Sequence, residues 1–60
     1  MINNEQIGKA RDCAMNGTDN MLLVMASRQQ EERYRKLDAA IDDLRDAAKF
    51  LGFDLVEAAP

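Results

Sequence analysis

Positions 34, 37, 41, 44, 48, 51 and 55 hold Tyr34, Leu37, Ile41, Leu44, Ala48, Leu51 and Leu55, spaced 3, 4, 3, 4, 3, 4. That repeat keeps one apolar stripe on a helix turning every ~3.6 residues, the a/d pattern by which helices pack on helices. A half-buried strand needs apolar side chains at every second position, and no segment alternates that way. The chain is therefore read as all-α. The stripe runs for about two and a half heptads, short for an extended zipper. Its flanks favour a bundle. With Tyr34 as position a, Ala40 and Ala47 fall at g and Ala39 at f. A two-stranded coil usually carries charge at e and g, whereas small residues there let helices approach closely.

Little interrupts such helices. The single proline is Pro60 and the glycines stand at 8, 17 and 52. Asn3 or Asn4 is a suitable N-cap, with Glu5 near the positive end of the helix dipole. Ile7, Ala10 and Ala14 then share a face, with Cys13 beside them. Two places compete for the turn. Gly17, in Asn16-Gly17-Thr18-Asp19, has the composition of a helix C-cap followed by a new N-cap. Ser27 with Gln30 reads as an S-x-x-Q capping box and would give a hairpin of 4–26 and 28–51. The Gly17 break is preferred. It predicts a short helix over about 4–16, a turn at 17–19 and a long helix over about 20–51 with a break near 27–30. A tail at 52–60 follows Gly52. A helix over 20–51 would be about 48 Å long at ~1.5 Å per residue.

Sixty residues make one domain at most. A chain this short buries only about 60% of the surface its unfolded form exposes, and small domains make up the deficit with disulfides, a metal or a second subunit. There is one cysteine and no histidine, so neither an internal disulfide nor the usual zinc ligand sets can form. Oligomerisation is the remaining route. The fold expected is a helical hairpin, short helix then long, dimerising into a four-helix bundle. Tyr34, Leu37, Ile41, Leu44, Ala48 and Leu51 form the oligomer interface.

The lone thiol fits a reducing compartment. The longest apolar run, Met21 to Ala26, is about a third of a membrane span. The start, Met-Ile-Asn-Asn-Glu, has no signal-peptide character. A cytoplasmic location is expected. Eleven acidic residues outnumber eight basic ones, a net charge of −3, which argues against general nucleic-acid binding.

No constellation points to catalysis. Cys13 has no histidine or other activating partner evident and reads as a packing residue. Asp38, Asp42, Asp43 and Asp46 lie along one helix and diverge, so they read as a solvated face, without the loop geometry of a cation site. No nucleophile or glycine-rich loop accompanies them. No catalytic residue, metal or cofactor is expected. Glu5–Lys9, Glu31–Arg35 and Glu32–Lys36 have the i,i+4 spacing of helix-surface ion pairs.

A partner surface is placed at Met21, Leu22, Met25, Arg28, Arg33, Arg35 and Lys36. There an apolar run that one helix face cannot hide meets a basic stretch. Methionine-rich surfaces adapt to varied partners. Arginine with tyrosine also grips phosphate and stacks on bases, which makes a small RNA- or DNA-binding regulator using 28–36 the alternative.

The stretches Asn4-Glu5-Gln6-Ile7-Gly8-Lys9-Ala10-Arg11-Asp12 and Lys49-Phe50-Leu51-Gly52-Phe53-Asp54-Leu55 resemble the small accessory proteins of the early exo–xis region of lambdoid bacteriophages. The resemblance covers the whole chain in size and style and carries over no functional residue. It implies an early phage product in the host cytoplasm that modulates host or phage development by binding a host or phage protein. The layout also resembles the helical-hairpin dimers of plasmid copy-number regulators that bind RNA loops, a likeness of architecture only. The expectation is a non-catalytic protein-interaction or regulatory module.

Overall fold

The computed structural model describes residues 1–59; Pro60, the last residue of the expected tail, lies outside the described residues. Two helices, α1 (Asn4–Ala26) and α2 (Gln30–Phe50), form an antiparallel hairpin, with no strand among the described residues.

The start of α1 is fixed by its sequence. The Asn3 side chain accepts the backbone N–H of Gln6 at 2.9 Å, and the Gln6 side chain accepts the backbone N–H of Asn3 at 3.1 Å. This reciprocal box satisfies two donors that a helix start leaves unpaired. The helix then runs through Gly17. The turn expected at 17–19 does not form, and the short-helix, long-helix division is replaced by helices of 23 and 21 residues. Breaking at Gly17 would relieve a glycine penalty of roughly 1 kcal/mol but would open two new helix ends. Continuing instead places Gly17 against α2, where its small size is used.

The turn falls at 27–29, inside the stretch identified as the second candidate. Its mechanism differs from the expected one. Ser27 is the C-cap of α1, its backbone N–H donating to the carbonyls of Leu23 and Val24. Gln29 is the N-cap of α2 and makes no side-chain cap bond. The S-x-x-Q box is therefore absent, and Glu31 and Glu32 supply favourable charge in the first turn of α2.

The end of α2 is a Schellman motif. Gly52 adopts φ +87°, its N–H bonds to the Lys49 carbonyl, and the Phe53 N–H reaches back to the Ala48 carbonyl at 2.9 Å. The left-handed glycine reverses the chain. Residues 53–59 have no regular secondary structure, and Leu55 and Val56 return to α2 beside Ile41, Leu44 and Arg45 around a depression of about 300 Å³.

The contact between α1 and α2 is made by small residues. Ala10 and Gly17 of α1 and Ala40 and Ala47 of α2 are buried, Ala40 to 1% exposure, and no large side chain is fully buried. A Cβ on Gly17 would stand 3.3 Å from the Ala40 carbonyl oxygen and 3.6 Å from Cγ of Leu44. Asn20 donates to Asp43 at 2.9 Å across the part-buried middle of the contact. At the open end the Gln6 side-chain amide donates to the Phe50 carbonyl at 3.3 Å, and the Lys9 ammonium lies 5.8 Å from the centre of the Phe50 ring. Of the expected surface ion pairs, Glu5–Lys9 forms at 3.5 Å. Glu31–Arg35 and Glu32–Lys36 are not among the ion pairs of the described residues. Arg35 turns to Glu32 at 3.9 Å, one residue closer in sequence, and Asp42 pairs with Arg45 at 3.7 Å.

Candidate interaction surface

The interhelical seam sits one residue to the side of the a/d stripe. On α1 it runs through Gln6, Ala10, Cys13, Gly17, Asn20 and Val24; on α2 it follows Lys36, Ala40, Asp43 and Ala47. Both again follow the 3,4 spacing. Successive residues are about 100° apart around a helix. Ile41 therefore points well away from the direction in which Ala40 meets α1. The stripe assigned to oligomerisation is only partly open in a single hairpin, because Leu55 and Val56 of the tail lie beside Ile41 and Leu44. Tyr34 is 62% exposed, Leu37 40% and Ile41 36%, while Leu44, Ala48 and Leu51 are half-buried.

The same rotation argument applied to α1 puts Ile7, Arg11, Ala14, Thr18, Met21 and Met25 to one side of its seam. The two helices run in opposite directions, so that side of α1 and the stripe of α2 lie on the same face of the hairpin. The Asn20–Asp43 bond and the approach of Gly17 to Ala40 and Leu44 set the register. From the loop outward, Met25 is level with Tyr34, Met21 with Leu37, Thr18 with Ile41, Ala14 with Leu44, Arg11 with Ala48, and Ile7 with Leu51. A shallow depression of about 270 Å³ opens on this face near the loop, lined by Val24, Gln30, Arg33, Tyr34 and Leu37.

The backbone, tail included, measures 43 × 26 × 11 Å. Met21 is 38% exposed and Met25 79%, although both are large apolar side chains.

The expected partner surface does not stay together. Met21 and Met25 join the open face. Leu22 points outward from α1, and Leu23 falls toward the opposite face. Arg33, Arg35 and Lys36 are spread around the first two turns of α2: Arg33 beside Tyr34, Arg35 paired with Glu32, and Lys36 half-buried at the interhelical seam. Arg28 is exposed in the loop. Of the basic stretch only Arg33 lines the depression near the loop, and the other basic residues are spread around the loop end.

Sequence reasoning missed the membership of Ile7, Ala14 and Thr18 in the open face, because the break at Gly17 separated them from Met21. Their heptad spacing, 7, 14 and 21, was the available signal. Cys13 is half-buried at the interhelical seam. Among the described residues no group of acidic or sulfur ligands is arranged to hold a metal, and no helix is long and apolar enough to cross a membrane. Comparison with protein-family models, curated proteins and solved structures finds no match.

Proposed function

We propose that this chain is a non-catalytic interaction module that works as a homodimer, two hairpins stacking their open faces into a four-helix bundle. The observation that carries this is the disparity between what the hairpin buries and what it leaves out. Its core is three alanines and a glycine, while Met21, Met25, Tyr34, Leu37 and Ile41 remain on one exposed face. Contiguous apolar patches of this kind mark association surfaces.

The regulatory role completes the reading. The dimer would act as a phage-type accessory factor in the host cytoplasm, binding a host or phage protein through side chains left outside the bundle. Leu22 and Arg28 near the loop are the leading contacts. This part is supported by the resemblance of 4–12 and 49–55 to early phage accessory proteins and by the outward position of Leu22, 59% exposed.

Light scattering on the purified chain across a hundredfold concentration range tests the dimer. A mass of two chains is expected, and Ile41→Asp should shift it to one chain with a loss of helicity by circular dichroism. A wild-type chain that stays a compact, fully helical monomer at the highest concentration would overturn the proposal.

A further inference from the structure

Resting on the dimer reading above, we propose that residues 53–57 form a removable strap. In the single hairpin the strap lies on the part of the α2 stripe that a second copy needs, and dimerisation displaces it.

The end of α2 puts the strap there. Leu55 continues the 3,4 spacing of Tyr34 to Leu51, so a longer α2 would carry the stripe past its present end. Gly52 prevents this. Its φ of +87° reverses the chain, and the Phe53 N–H bonds back to the Ala48 carbonyl. The chain then returns along α2. An extended residue advances about 3.3 Å and a helical one about 1.5 Å, so each residue of tail passes roughly two of helix. Counted from Phe53 beside Ala48, Leu55 comes to the level of Leu44 and Val56 to that of Ile41. The lining of the tail depression agrees: Leu55, Val56 and Glu57 meet Ile41, Leu44 and Arg45 around about 300 Å³. Glu57 thereby comes to the same depression as Arg45, opposite to it in charge.

Ile41 and Leu44 belong to the stripe assigned to the dimer. Helices of a bundle pack with axes ~8–10 Å apart, which leaves no room for an extended chain between them. The strap and a second copy therefore exclude each other. The strap is also the weaker occupant. Leu55 remains 49% exposed and Val56 86%. Among the described residues no backbone hydrogen bond ties the chain after Phe53 to the helices. Side-chain contact alone holds it, over two positions of a stripe that a second copy would cover along its length. Tyr34 and Met25, toward the loop, stay bare and offer that copy its first contact.

Dimer dissociation constants from light scattering across a dilution series test the competition. A chain ended at Phe53 keeps both bonds that close α2 and loses the strap. The full-length double variant Leu55→Ser, Val56→Ser removes the apolar contact without changing chain length. Each should dimerise about tenfold more tightly than the intact chain, the effect of uncovering a half-buried leucine site on each of two copies less the tail's own ordering. Circular dichroism checks that both keep the helix content of the intact chain. A monomeric intact chain beside a dimeric shortened one is the same result at its extreme. Holding the strap down should do the reverse. In a Cys13→Ala background, a reducible cross-link between Arg45→Cys and Glu57→Cys should weaken dimerisation by about tenfold or more, and reduction should restore it. If the intact chain dimerises and the strapless chains dimerise no more tightly, the strap is overturned and the dimer stands. A weaker strapless dimer would place the tail inside the interface, which equally overturns the strap. A mass of one chain for the intact and strapless proteins alike, at every concentration, would overturn both.

Discussion

Gly8 and Gly17 both lie inside α1, and replacing each with alanine should have unequal effects. In a helix interior alanine is favoured over glycine by roughly 0.8–1 kcal/mol. At Gly8 a Cβ meets nothing within 4 Å, so the whole gain should appear. At Gly17 the Cβ would lie 3.3 Å from the Ala40 carbonyl oxygen and 3.4 Å from Cβ of Asp43. Neither neighbour is the free end of a flexible chain, so the helices must move apart, and the propensity gain is offset. The two variants should therefore differ by about 1 kcal/mol, or roughly 8 °C in melting temperature for a chain of this size. Gly17→Val adds a branch to the same contact and should lose about 2 kcal/mol or more, in the range of overpacked cores. Circular-dichroism melts at one fixed protein concentration measure all three. If Gly17→Ala stabilises as much as Gly8→Ala, the close crossing of α1 and α2 at that residue is wrong. If Gly8→Ala gives no gain, α1 does not run through position 8 as described.

Three further outcomes follow from local geometry. Gly52→Ala places a side chain at φ +87° with open space around it, so it should cost only the left-handed penalty of about 1–2 kcal/mol, seen as a lower melting temperature with the helix content of α2 retained up to its last turn. Asn3→Ala removes one arm of the capping box and should cost about 1 kcal/mol, with faster amide exchange confined to the first turn of α1. Asn20→Ala leaves the half-buried Asp43 carboxylate without its donor and should cost about 1 kcal/mol in a denaturant titration; the double variant with Asp43→Asn should cost less than the sum of the two single changes.

The helical class, the hairpin and the start of α1 were legible because each rests on local chemistry. The 3,4 spacing, the near absence of proline and glycine, and an asparagine cap at Asn3 or Asn4 all act within a few residues, whereas the return bond from Gln6 came only with the structure. The position of the turn was not. Asn16-Gly17-Thr18-Asp19 has every local mark of a break, and Ser27-Arg28-Gln29 has fewer. What decides between them is the contact across the hairpin, which needs a residue without a side chain where Ala40 comes close. The face that α2 turns to α1 was hidden for the same reason. The stripe of large residues is the stronger sequence signal, and the alanines one position away looked like its margin. In the structure those alanines make the intramolecular contact and the large residues remain outside it.

That inversion has an energetic consequence. A loop of three residues holds α1 and α2 close, and only small side chains fit between helices at such a distance. Alanine burial returns little: a buried methyl-sized group contributes about 0.8 kcal/mol, whereas ordering each residue's backbone costs roughly 1–2 kcal/mol. The large residues that could offset this cost are the ones on the open face. Folding of the hairpin should therefore be coupled to covering that face with a second copy. For such a coupled dimer the melting temperature rises with protein concentration, because mass action favours the associated, folded state. A tenfold increase is worth ~1.4 kcal/mol per mole of dimer. Unfolding two 60-residue chains carries an entropy of about 250 cal/mol/K at ~2.1 cal/mol/K per residue. The expected shift is thus about 5 °C per decade of concentration. Melts by circular dichroism over two decades measure it. A midpoint that does not move, in a chain that is helical throughout, would mean that the alanine seam alone sustains the fold.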